Sequence, residues 1–131
     1  MERPIAYLGS KFTIAYAVDK NGRSPGKEFF DALPLQDQAK RMRLLERLGN
    51  EGGIANPEKF RSVKEGFYEF KSFQIRMPCR FLDGRVVLIT HGFHKKRDRM
   101  PRQEMERAKR ILEEDQQRAA RPSSARKRYE D

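Results

Sequence analysis

The sequence predicts an α+β domain. An N-terminal strand and a helical hairpin should pack on one face of a mostly antiparallel, twisted sheet of four to five strands, with a C-terminal helix closing the fold. Three observations carry this. Apolar residues recur at helical spacing from 25 to 49 and again from 101 to 114. Between 60 and 93 the period drops to two. The two patterns are segregated along the chain, which favours α+β over an alternating α/β arrangement.

In chain order, FTIAYAV (12–18) puts Phe12, Ile14, Tyr16 and Val18 on one parity, which reads as a strand with one bulky face. DKNG (19–22) is turn chemistry. Ser24-Pro25 supplies an N-cap and a first-turn proline for a helix over 25–33 carrying Phe29, Phe30 and Leu33. Pro34 starts a second helix, 35–49, with Leu35, Ala39, Met42, Leu45 and Leu48 on one stripe. Gly49 and Gly52-Gly53 end it.

FRSV (60–63) predicts a short strand and FYEFKSF (67–73) a clearer one. In QIRMPCRFL (74–82), Gln74, Arg76, Pro78 and Arg80 alternate with Ile75, Met77, Cys79 and Phe81. Pro78 cannot donate to a ladder, so this strand should be bulged or locally irregular there. Asp83-Gly84 marks a hairpin, and RVVLITHGF (85–93), apolar on both parities, predicts the central strand. The last helix should run from Pro101 to about Glu114 on Met105, Ala108, Ile111 and Leu112, with Asp98 standing in for the capping oxygen that Met100 lacks. That makes 1–115 one domain and 116–131 a basic, disordered tail. The helical hairpin uses one sheet face, so the other is expected to be open and polar.

The chain has 131 residues, 29 Lys+Arg against 19 Asp+Glu, and a net charge of +10, which points to a polyanionic partner such as nucleic acid or an acidic protein segment. The one cysteine, Cys79, excludes a disulfide framework or a multi-cysteine zinc site, and two histidines fall short of a metal ligand set. No apolar run is long enough for a membrane span or signal core. The expectation is a soluble cytoplasmic protein without metal or cofactor.

Chemistry concentrates late in the sequence. Arg76 and Arg80 share a strand face, and Lys71 joins them if the register of a tight turn allows. His91 ends the central strand, and His94, Lys95, Lys96, Arg97 and Arg99 follow. Converging guanidinium and ammonium groups can clamp a phosphate and stabilise a pentacoordinate phosphorane, and a histidine can move a proton near neutrality. Each has a plainer reading: solubilising arginines, a hydrogen-bonded strand-end His91, an exposed His94, a solvated KKRDR loop and a core Cys79.

FYEFKS, MPCRFLDGRVVLITHGFHKK and MPRQEMERAKRI together resemble the RelE/HigB-type toxin superfamily, in its phage-derived, HigB-like branch, over roughly 60–112. The resemblance implies a RelE-like fold. It also implies a metal-independent endoribonuclease (an mRNA interferase) acting at the ribosome, which attacks a phosphate with the adjacent 2′-hydroxyl and is held inactive by a cognate antitoxin, a small helix-turn-helix protein. Arg80 then matches the phosphate-holding arginine, Lys71 stands where that family has arginine, and Lys95 and Lys96 match its Lys-Lys pair. Cys79 replaces a tyrosine, and Met105 falls where RelE carries a tyrosine on its last helix, leaving His91 or His94 for proton transfer. A non-catalytic or gyrase-inhibiting, ParE-type binder on the same fold is the alternative.

Overall fold

The computed structural model describes residues 2–95 and 100–120. Among them seven strands form one sheet: β1 (Ile5–Leu8), β2 (Thr13–Tyr16), β3 (Phe60–Ser62), β4 (Tyr68–Ser72), β5 (Ile75–Leu82), β6 (Val86–Ile89) and β7 (Phe93–His94). Three helices, α1 (Pro25–Asp31), α2 (Leu35–Glu51) and α3 (Arg102–Ala120), accompany it. The sheet runs β1-β2-β6-β5-β4-β3, with β7 also on β5. β2 and β6 are parallel, and the other pairs are antiparallel. The sheet is therefore mixed and larger than expected.

The extra strands have local causes. β1 is only IAYL, too short to alternate, and pairs with β2 through the turn at Gly9. A Cβ on Gly9 would overlap the Gly49 backbone of α2, whose carbonyl accepts from Lys11 N–H at 2.8 Å and Phe12 N–H at 2.9 Å. This close approach docks α2 onto the β1–β2 hairpin. β7 continues the line of β6 after an interruption opposite Pro78. Arg76 pairs with Phe93 and Cys79 with Ile89, so Met77 and Pro78 face three residues, Thr90, His91 and Gly92. Pro78 accepts from Thr90 N–H at 3.0 Å, so its own nitrogen faces the same neighbour, where no donor exists. The irregularity expected at Pro78 falls on the strand beside it, as a bulge.

α1 and α2 cover one sheet face. Phe30, Leu33, Leu44, Leu45 and Leu48 meet Ile14, Tyr16, Phe60, Phe70, Ile75, Met77, Cys79, Val87 and Ile89 there. Ser24 does not cap α1 by its side chain; its hydroxyl donates instead to Ala17 O at 2.9 Å. The buried stripe of α2 is also rotated from the expected one: Leu35 is 80% exposed, whereas Arg41 is buried.

The second face is not open. Met105, Ala108, Ile111 and Leu112 of α3 pack with Ala15, Ala17, Phe67 and Leu88. Small residues on β2 let the helix sit close. Asp115 then ties the helix to the sheet, accepting from Val18 N–H at 2.9 Å and from Arg3 at 2.7 Å. α3 runs to Ala120, past the expected end near 114, and takes in 116–120 of the segment expected as a tail. The expected disordered residues 121–131 lie outside the described residues. No helix among the described residues is long and apolar enough to cross a membrane.

Candidate functional site

The register of β4 on β5 sets Lys71 opposite Arg76 and Glu69 opposite Pro78, while β3 sets Arg61 opposite Glu69. Residues directly opposed across a ladder share a face. Arg61, Glu69, Lys71, Arg76 and Arg80 therefore lie on the side away from the α1/α2 core, which resolves the position of Lys71 that the sequence left open.

Glu69 is the pivot of this cluster and was not singled out from the sequence. It is 0% exposed, accepts from Arg61 Nε at 2.6 Å, and lies 4.0 Å from Lys95 Nζ. Lys95 is 2% exposed. Burial lowers its amino pKa to about 8; the Glu69 carboxylate pulls it up, while Arg61, Arg76 and Lys71 press it down. Arg76, also buried, donates to Phe73 O and to Ile75 O, the latter at 3.0 Å. The expectation of an exposed basic face is thus corrected: Arg76 and Lys95 sit beneath the surface, while Arg61, Lys71 and Arg80 are half-buried.

Arg80 differs from the others. Its guanidinium lies 5.1 Å from the ring centre of Phe67 and, among the described residues, has no ion pair or side-chain hydrogen bond. The Gly66 turn passes so near that a Cβ there would lie 3.2 Å from the guanidinium, in a backbone with φ of 83°. Arg80 also lines a shallow depression with Arg3, Leu82, Asp83, Leu112 and Gln116. An arginine over an aromatic ring, with no ion pair among the described residues, is set to receive an anion.

The histidines go elsewhere. His91 leaves the ladder at the bulge and is wholly buried against α3. Its Nε2 lies 3.0 Å from Glu104 Oε1 and its Nδ1 3.1 Å from Thr90 Oγ1. The neutral ring with its proton on Nε2 satisfies both, donating to the carboxylate and accepting from the hydroxyl. The carboxylate favours the charged ring, but burial, with Arg107 and Arg110, outweighs it and lowers the pKa to about 3. His94 pairs with Ile75, shares its face, and lies 5.5 Å from the Phe29 ring of α1. It is on the opposite side of the sheet from Arg80. Lys96, Arg97 and Arg99, and the expected cap Asp98, lie outside the described residues.

Cys79 is buried and its thiol pKa is pushed up by burial and by Glu69, in keeping with a core residue. Among the described residues no group of three His, Cys, Asp or Glu could hold a metal ion. The residues the sequence reading missed had a signal. Glu69 shares the parity of Lys71 in FYEFKS, and Glu104 lies in the first turn of α3. Only the register brings Arg61 to Glu69.

A family model described as "Phage derived protein Gp49-like" matches residues 28–113. No curated protein matches the chain. Two solved structures are similar over about half of it. The RelB–RelE antitoxin–toxin complex from Methanococcus jannaschii gives 10% identity and a TM-score of 0.44, covering 53% of this chain and 82% of that one. The toxin–antitoxin complex RelBE2 from Mycobacterium tuberculosis gives 13% and 0.35, covering 54% and 83%. On the family match, the chain belongs to the phage-derived Gp49-like proteins.

Proposed function

We propose that this Gp49-like protein is the toxin of a type II toxin–antitoxin pair, of the HigB-like branch of the RelE superfamily. It acts in the cytoplasm as a metal-independent endoribonuclease that cuts mRNA at the ribosome. A cognate helix-turn-helix antitoxin restrains it. One observation carries the reading: a single sheet face gathers Arg61, Lys71, Arg76 and Lys95 around one carboxylate, and Arg80, further along the same face, has no ion pair among the described residues. Such a face suits a polyanion better than an acidic side chain already matched one for one.

The chemistry follows from positioning and charge. The 2′-hydroxyl of one nucleotide gives its proton to water and attacks the adjacent phosphorus; the bond to the 5′-oxygen breaks, that oxygen takes a proton from water, and a 2′,3′-cyclic phosphate forms. Arg80 holds the scissile phosphate and meets the charge that grows on its oxygens. Lys71 and Arg61 take flanking phosphates. Arg76 and Lys95 lie behind them and raise the local positive field. Lys96, Arg97 and Arg99, next in sequence, are assigned further phosphate contacts. His91 positions β6 against α3 rather than carrying protons, because it is buried and stays neutral at physiological pH. His94, on the far face, takes no part.

The test is induced expression followed by primer extension on cellular mRNA. Wild-type protein should arrest growth and create new mRNA ends; Arg80→Ala should do neither, and a co-expressed antitoxin should relieve the arrest. Growth arrest with intact mRNA would overturn cleavage. A second reading, a non-catalytic or gyrase-inhibiting binder of the ParE type, is favoured by the place of His94 on the other sheet face from Arg80 and by the burial of His91 against α3. Gyrase inhibition would show DNA-damage signalling without new mRNA ends.

A further inference from the structure

The β4–β5 hairpin closes through two residues, Phe73 and Gln74, between the paired Ser72 and Ile75. Neither is a usual hairpin residue. Phe73 has φ of 54°, a region that L residues with bulky side chains rarely enter, and the residue is 75% exposed. Asparagine or glycine would satisfy the turn without strain and without baring an aromatic ring.

The surrounding structure nevertheless holds this conformation in place. Arg41 of α2, 2% exposed, donates to Ser72 O at 2.9 Å and to Asp37 O at 2.9 Å. Arg76 donates to Phe73 O and Ile75 O. Two buried guanidiniums thus clamp three carbonyls of one short connection. Lys40 lies 4.9 Å from the Phe73 ring centre on the α2 side, and Lys71 lies two residues back on the opposite sheet face. A strained backbone fixed by its neighbours marks a position kept for contact.

We propose that Phe73 is a stacking platform for an unpaired RNA base, with Lys40 and Lys71 holding the phosphates beside it. A flat π-face flanked by cations matches a nucleobase on its anionic backbone, and such stacking tolerates any base. The inference rests on the RNA reading above. It extends that site from Arg80 to the end of the sheet, roughly 16 Å along β5 at about 3.3 Å per residue.

The test measures binding of end-labelled single-stranded RNA, and of an abasic ribose-phosphate chain of the same length, to the full chain. Phe73→Gly should weaken RNA binding roughly ten-fold, Phe73→Tyr should retain it, and the abasic chain should bind both wild type and Phe73→Gly equally. Thermal unfolding of Phe73→Gly should not fall below wild type, since glycine relieves the positive φ. Equal RNA affinity of Phe73→Gly and wild type would overturn the inference. So would an equal loss for the abasic chain, or a loss confined to antitoxin binding, which would assign the ring to a protein partner. Absence of RNA binding by the wild type would overturn the RNA reading as well.

Discussion

The two sides of β5 show what one strand can be asked to do. Ile75, Met77, Cys79 and Phe81 face α1 and α2 with only carbon and sulfur, whereas Arg76, Pro78 and Arg80 face the other way among charges. The first side is held by area removed from water, which does not depend on the charge state of any side chain. The second is held by a few specific partners: Glu69 for Arg61 and Lys95, and carbonyls for Arg76. Area tolerates small losses, but a buried carboxylate serving several cations does not. The only half-buried arginine on that strand face without such a partner among the described residues is Arg80, and that exception is where function is proposed.

Truncation on the apolar side should cost most. Phe70→Ala, at a ring 1% exposed, should lose about 3–5 kcal/mol in urea unfolding. An equal loss from Arg80→Ala would break the contrast between the faces. Glu69→Ala should cost about 3 kcal/mol at pH 7, because it leaves buried cations unmatched. The loss should shrink at pH 9, where Lys95 without its carboxylate is neutral. A pH-independent loss would mean that Glu69 acts by packing.

The pH dependence sharpens the comparison further. The folded pKa of His91, about 3, lies below its ordinary 6.5, so the unfolded chain binds the extra proton between those values. Stability from His91 is therefore full above about 6.5 and falls toward pH 3, at up to about 1.4 kcal/mol per pH unit. His91→Phe should flatten that limb in pH-resolved unfolding. Lys95, lowered to about 8 from 10.5, also binds more protons unfolded, so stability should rise from pH 8 to 10.5, and Lys95→Met should remove the rise.

Arg80→Ala should change stability by at most about 1 kcal/mol, the worth of its contact with Phe67, while abolishing growth arrest. Phe73→Gly should have the smallest effect on stability, a gain of less than about 1 kcal/mol in thermal unfolding as its φ of 54° becomes unstrained.

Local pattern in the sequence determined the existence of the helices, the strands between 60 and 82 and the central place of VVLI, because side-chain periodicity acts within a few residues, but not the break before β7 or the shift of the Pro78 irregularity onto the strand beside it. It also determined that Arg76 and Arg80 share a face, since alternation along one strand needs no partner. Leu35 was misassigned because a helix stripe read alone can be rotated by one residue at little cost. Tertiary structure decided the rest. The parallel pairing of β2 with β6 joins residues about seventy apart, and no local period encodes that. The register of β3, β4 and β5 brought Arg61 and Lys71 to Glu69, and that of β7 on β5 took His94 to the far side. The covering of the second face by α3 depended on small Ala15 and Ala17, which alternation presents as merely unremarkable. Which charges were buried, and which arginine was left without a partner among the described residues, followed only from those long-range pairings. The electrostatic role of a side chain is set by what lies across from it in space.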